Sequence, residues 1–383
     1  PEQRFRAPPW IFRRLAPRSL WRRLRLPIRR RRWIAKSRTI LAPYAKTDTP
    51  TEHTARVAAI GDFSGGNGLS RAALYELARL RVEHPGLDVI DASTCLGRKG
   101  RCDRLDGPPL DRLYILSAPD TYARILPALH PERIAEARRI GLWVWETPTL
   151  TDEWRTGFRI VHEIWTPSRF SARAIEHDPA GAGVPVTIRP HPVALPETRT
   201  PFDRAAEGLA GTRFLGVAIM DLRSCPARKN PWAHIAAWQA AFGDRADHVL
   251  LMKLRFSKHT ACVRAELEAM ARESGNIRLM ERDMTDAEIA GLQAGADAFL
   301  SLHRAEGYGL NIRECLELGV PVVATDWSAN AEYGADYPNY HGIPSRLVPY
   351  RDWTGHYPSS DFHWAEADIA AAAACLRRLA ARP

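Results

Sequence analysis

Acidic side chains are almost missing from the first 40 residues of this 383-residue chain, where 14 lysines and arginines stand against one acid, Glu2. The remainder holds 40 basic and 43 acidic residues, so the net charge of +10 belongs to an arm on a near-neutral body. A nucleic-acid-binding function would therefore rest on the arm alone, and none is expected. No stretch approaches 18 consecutive apolar residues, which excludes an ordinary transmembrane helix. Cysteine is sparse and scattered: of Cys95, Cys102, Cys225, Cys262, Cys315 and Cys375, only the first two are close, and no metal-ligand spacing recurs. Reduced thiols in a cytoplasmic compartment are the expectation. Asp-x-Asp elements that would offer paired carboxylates to a divalent ion are absent, so no metal and no cofactor is expected. No Walker loop occurs either.

The arm, residues 1–50, interleaves its arginines with Trp10, Ile11, Phe12, Leu15, Leu20, Trp21, Leu24, Leu26, Trp33 and Ile34. Pro17 and Pro27 predict short helical pieces, such as Arg18 to Leu26. Arginine with tryptophan and leucine suits an anionic membrane surface, where each basic residue contributes about 1 kcal/mol. A solvated tail, a nucleic-acid contact and a transit peptide are the competing readings.

The rest of the chain is organised around Ser301 to Asp326. Asp297–Leu302 is an apolar run of strand length, and Gly307 and Gly309 let the backbone pass close to a ligand. A helix is predicted from Leu310; Gly319 and Pro321 stop it before a second buried strand over 321–324. This is a βαβ unit, whose ligand crevice lies at the carboxyl ends of its strands. Glu306 lies before the helix and Glu314 in its second turn. Two carboxylates there suit sugar hydroxyls, while the loop N–H groups suit a phosphate. Surface acids on an ordinary connection are the alternative.

Upstream, Arg56–Phe63 is a strand running into Ser64-Gly65-Gly66-Asn67-Gly68 and then a helix with Ala73, Leu74, Leu77, Ala78 and Leu80 inside. The glycine-rich turn offers backbone donors, though a ligand-free tight turn has the same pattern. Further strands at 87–90, 113–117 and 140–145 alternate with helix-length segments, which predicts a parallel α/β sheet. Glu146 ends one of these runs, followed by Trp154 and by Trp165-Thr-Pro-Ser168. Residues 184–193 form an exit strand, and 195–211 read as a linker. The second domain, 212–383, opens with a strand over 213–220. It is followed by Arg223, then Arg228-Lys229-Asn230-Pro231 and a helix over 232–242. Cations at a strand end before a helix N-terminus suit a diphosphate, as they also suit a solvated surface. Lys253, at the end of the next strand, joins that cluster or snorkels. The last helix spans 367–379.

Several of these segments, taken in order over residues 55–380, resemble one family. Glu306-x7-Glu314, with Gly307-Tyr308-Gly309 and His303-Arg304 around it, is similar to the signature of retaining GT-B glycosyltransferases of family four. The Trp143-Val-Trp145-Glu146, Trp165-Thr-Pro-Ser168 and Arg228-Lys229-Asn230-Pro231 segments resemble elements of its bacterial members, among them mannosyltransferases of polysaccharide pathways. The resemblance implies an α/β GT-B fold, with Rossmann-like domains at 54–194 and 212–383 facing across a cleft. It implies transfer of a hexose, mannose favoured, from a nucleotide sugar to a carbohydrate or lipid-linked acceptor. Lys229, with Arg228 or Arg223, would face the diphosphate, and Glu314 the ribose. Glu306, His303, Gly307, Tyr308, Gly309 and Leu310 would hold the donor sugar, and Gly65 and Gly66 would close over the donor. Glu146 stands where many such enzymes carry a histidine, so a histidine role does not transfer. Its expected place is facing acceptor or sugar, or paired with a nearby arginine. The expected location is cytoplasmic, peripheral at the inner membrane face.

Overall fold

The computed structural model describes residues 16–50, 55–64, 66–97, 106–351, 357 and 362–381, with side chains described from residue 27 onward. Two parallel six-stranded sheets dominate. The first has the order β2-β1-β3-β4-β5-β6, with β1 Val57–Gly61, β2 Asp88–Asp91, β3 Arg112–Leu116, β4 Arg138–Leu142, β5 Glu163–Thr166 and β6 Val186–Ile188. The second runs β12-β11-β10-β7-β8-β9, with β7 Phe214–Asp221, β8 His248–Arg255, β9 Ile277–Met280, β10 Ala298–Ser301, β11 Val322–Thr325 and β12 Tyr340–Ile343. An antiparallel hairpin, β13 Ser345–Pro349 with β14 His363–Ala367, stands apart and was not foreseen.

The apolar runs explain the central strands. Val57, Ala58, Ala59 and Ile60 of β1 are all buried, as a strand covered on both faces requires. Strand β7 does the same for the second sheet, with Leu215, Val217 and Ala218 fully buried. In each sheet the chain order reverses beside the first strand, between β1 and β3 and between β7 and β10. The crevices at these reversal points receive the loops that matter. The helix Gly68–Glu83 starts at a capping box, the Asn67 side chain accepting from Leu69 and Ser70 N–H at 2.9 and 3.1 Å. Its inner face differs from the apolar reading: Ala78 is exposed and Glu76 is fully buried against Arg189 and His191.

Two expectations about the periphery fail. The arm is not a string of short helical pieces: one helix runs from Ala16 to Leu41 with Pro27 inside it. A proline removes one backbone hydrogen bond, but flanking arginines and leucines are strong helix formers and the last turns are held by packing. Nor is all of 1–50 separate from the body. Ile34, Leu41 and Tyr44 are buried, and Arg139, itself buried, donates to the Ala45 carbonyl at 3.2 Å. The reduced-thiol expectation also fails at Cys95, which is disulfide-bonded to a partner outside the described residues, whereas Cys225, Cys262, Cys315 and Cys375 stay outside any disulfide. Spacing along the chain says nothing of the Cβ separation that decides pairing.

Candidate active site

The carboxyl ends of the two sheets face each other, and their loops meet. From β10 the chain enters the 302–309 loop and turns into the helix Leu310–Glu317 at Gly309, whose φ of 84° favours glycine. Gly307 lies against the opposite domain. A Cβ there would stand 2.8 Å from Val144 Cγ1 and 2.9 Å from the Trp145 carbonyl oxygen. The Gly307 carbonyl accepts from Ser168 Oγ at 2.8 Å. Nearby, Glu332 of the second domain accepts from Arg169 and Phe170 N–H at 2.8 and 2.6 Å, capping the helix Arg169–Glu176 of the first. The glycine and the Trp-Thr-Pro-Ser segment thus meet as one interdomain seam.

Behind the loop, four of the expected residues form one charged cluster. Lys229 Nζ donates to Glu306 Oε1, and Arg228 Nη1 lies 3.2 Å from Glu306 Oε2. Arg228 also reaches Glu146 at 3.4 Å and donates to the Ala305 carbonyl at 2.9 Å. Burial opposes ionisation of Glu306, but Lys229 and Arg228 outweigh it and hold the carboxyl down at about 2. Burial disfavours the Arg228 cation too, yet the surrounding Tyr357, Glu146 and Glu306 raise its pKa well above the usual value. The two cations differ in access: the Arg228 side chain is 3% exposed, that of Lys229 21%. Their placement follows from local sequence. Pro226 opens a short helix, Pro226–Lys229, and Asn230 turns left-handed, φ 52°, before Pro231 starts the helix to Phe242.

Glu314 does not share this cluster. It is buried, and its carboxylate accepts from Arg71, from Tyr75 Oη at 2.9 Å and from Gln293 Nε2 at 3.0 Å. Arg71 and Tyr75 belong to the helix after the glycine-rich turn of the first domain, so this ion pair also crosses the cleft. Gly66 of that turn offers its carbonyl to Arg255 and, at 3.5 Å, to Arg223. Arg223 is itself paired with Asp221, Nε to Oδ1 2.9 Å. Gly65 lies outside the described residues. Lys253 is buried in β8; desolvation, then Arg255, lowers its pKa. His303 is buried, with Nδ1 2.9 Å from the Ser301 carbonyl; burial and then the nearby cations, against Glu306, keep its pKa low. Tyr308 donates to the His191 carbonyl at 3.2 Å, and Leu310 begins the helix. The structure therefore brings Lys229, Arg228, Glu306 and Glu146 together, with Gly66 and Arg223 in a second group and Glu314 in a third.

The sequence reading missed Arg71, Tyr75, Gln293, Arg255 and Tyr357. Arg71 and Tyr75 stand one turn apart on a helix face, which spacing alone could have signalled, but nothing in that pattern names Glu314 as the partner. Tyr357, buried between β13 and β14, packs edge-on to Trp145 at 5.7 Å and donates to Glu146 at 3.4 Å. Among the described residues no group of three or more His, Cys, Asp or Glu is placed to hold a metal ion.

No protein-family model and no curated protein matches this chain in sequence. Solved structures match it in fold. Anabaena Alr3699/HepE in complex with UDP-glucose aligns at 15% identity over 72% of this chain and 82% of that one, TM-score 0.53. A trehalose-6-phosphate synthase studied with bisubstrate glycomimetics aligns at 9% identity over 75% and 88%, TM-score 0.52. Against S. aureus TarM the chain spans 48% of that protein's length, at 11% identity and TM-score 0.48. The architecture is the GT-B fold: two Rossmann-like α/β domains with a cleft between them.

Proposed function

We propose that this chain is a retaining glycosyltransferase moving a hexose from a nucleotide sugar to a carbohydrate or lipid-linked acceptor, in surface polysaccharide or glycolipid synthesis. The observation that carries the reading is the Lys229–Glu306–Arg228 cluster behind a loop whose next residues open a helix. A cation, a carboxylate and free helix N–H groups are the three chemistries that a sugar diphosphate needs.

In this reading Lys229, the accessible cation, meets the diphosphate and stabilises the charge that develops as the sugar leaves. Arg228, buried between Glu146 and Glu306, positions the two carboxylates. Glu306 and the 307–310 backbone hold the sugar, and Glu314, once Arg71 and Tyr75 across the cleft give way, accepts from the ribose hydroxyls. The acceptor oxygen attacks the anomeric carbon on the face that the diphosphate leaves, and its proton passes to the departing phosphate oxygen. Mannose from GDP-mannose is the favoured donor, with UDP-glucose, the ligand named for HepE, next in the series.

Donor hydrolysis and binding across GDP-mannose, UDP-glucose and UDP-N-acetylglucosamine test this, in wild type beside Lys229→Ala and Glu314→Ala. Saturable use of one donor, lost in both variants, is the expected outcome. Binding without turnover on any acceptor would instead define a nucleotide-sugar-binding protein tethered by its arm. A folded protein that binds none of the donors would refute the reading.

A further inference from the structure

We infer that the helix Ala16–Leu41 is a docking surface for an anionic phospholipid bilayer. The inference is independent of the glycosyl-transfer reading and begins with the continuity of the helix through Pro27. Had the chain broken there, residues on either side would share no face. With one unbroken helix, positions 18, 22, 25, 29, 32 and 36 recur at alternating steps of four and three, and all six are arginine or lysine. Beside that stripe, positions 21, 24 and 28 fall on one face and carry tryptophan, leucine and isoleucine. At about 1.5 Å per residue the helix is about 39 Å long.

The C-terminal half shows which side is committed to the body. Ile34, Ser37 and Leu41 are buried, Trp33 and Ile40 pack on the first domain's core, and Arg30 pairs with Glu153. The other side is open. Arg29, Arg31, Arg32, Lys36 and Arg38 are exposed, and among the described residues none of them makes an ion pair. Ile28 is 54% exposed, among the largest apolar exposures of the described residues. Apart from Glu2, the chain has no acid before Asp48, so nothing nearby in sequence neutralises the stripe.

Five unpaired cations on a rigid mount call for a polyanion. The apolar stripe decides which one. Ile28, exposed beside the arginines, gains nothing from the phosphates of a nucleic acid in water. At a bilayer it enters the acyl boundary while the arginines stay with the headgroups.

The test is co-sedimentation of the full chain with phosphatidylcholine vesicles, with and without phosphatidylglycerol, at low salt and at about 0.5 M salt. The variants are Ile28→Asp and the triple change Arg29→Glu, Arg32→Glu, Lys36→Glu, all at exposed positions, with melting temperature as the folding control. Wild type should sediment only with anionic vesicles. The triple variant should lose about a hundred-fold or more in partitioning, and Ile28→Asp should remove the binding that survives high salt. Equal sedimentation of wild type and triple variant would overturn the inference. So would tight binding to a DNA duplex at a salt concentration where vesicles are ignored.

Discussion

Replacing Arg228 by methionine should destabilise the protein far more than the same change at Lys229, although the two are adjacent and share Glu306. Arg228 is buried and faces two carboxylates, Glu306 at 3.2 Å and Glu146 at 3.4 Å, besides the Ala305 carbonyl at 2.9 Å. Removing one partner of a buried ion pair typically costs about 3–5 kcal/mol, because the other charge stays buried. Glu306 would keep Lys229, whereas Glu146 would keep the Tyr357 hydroxyl at 3.4 Å and lose the cation. The Glu146 side chain is 20% exposed, so some water reaches it. These two facts place Arg228→Met near the lower end, about 3 kcal/mol. At about 2–4 °C per kcal/mol for domains of this size, the melting temperature should fall by about 6–12 °C. Calorimetry is the assay, since it separates the transitions of the two domains if they unfold apart. Adding Glu146→Gln to Arg228→Met removes the stranded charge and should recover about 1–2 kcal/mol. Lys229→Met, at a more open position, should cost less than about 1 kcal/mol. An Arg228→Met protein within about 1 kcal/mol of wild type, or a double variant no more stable than the single, would refute this account of the cluster.

Four further outcomes follow from the same geometry. The Glu306 carboxyl titrates at about 2 in the fold against an ordinary 4.5, so its contribution is complete above about pH 4.5 and is lost as pH falls through 2; acid unfolding of Glu306→Gln should lose that dependence. Gly307→Ala puts a methyl 2.8–2.9 Å from Val144 and the Trp145 carbonyl, which cannot yield as a flexible side chain would; a loss of about 1–3 kcal/mol and a larger radius of gyration in solution scattering are expected. Arg71→Ala leaves the buried Glu314 carboxylate with only Tyr75 and Gln293; thermal unfolding should show a loss of about 3 kcal/mol, partly restored by adding Glu314→Gln. Donor turnover should be unchanged by a strong chelator, and activity restored only by added divalent ion would overturn the expectation of metal independence.

Most of the fold could be read along the chain because parallel strands buried on both faces are written as short apolar runs. Strands β1, β3, β7, β8 and β10 each fall within two residues of such a run. The hairpin β13–β14 escaped because Leu347 is exposed and no residue of β13 is buried, so no apolar run stands out. The arm was misread for a related reason: a proline's local cost is visible in sequence, and the packing of Ile34 and Leu41 that holds the helix is not.

The site divides in the same way. Local sequence determined the loop with its two glycines, the helix start at Leu310 and the placing of Arg228 and Lys229 between two prolines. These depend on backbone conformations that neighbouring residues dictate. Tertiary structure alone decided which charge meets which. Glu306 and Glu314, eight residues apart, go to different partners, one to Lys229 and Arg228 and the other to Arg71 and Tyr75. Those partners lie 77 or more residues away in sequence. Ion pairing depends on distance in space, and only the packing of two domains across the cleft sets that distance.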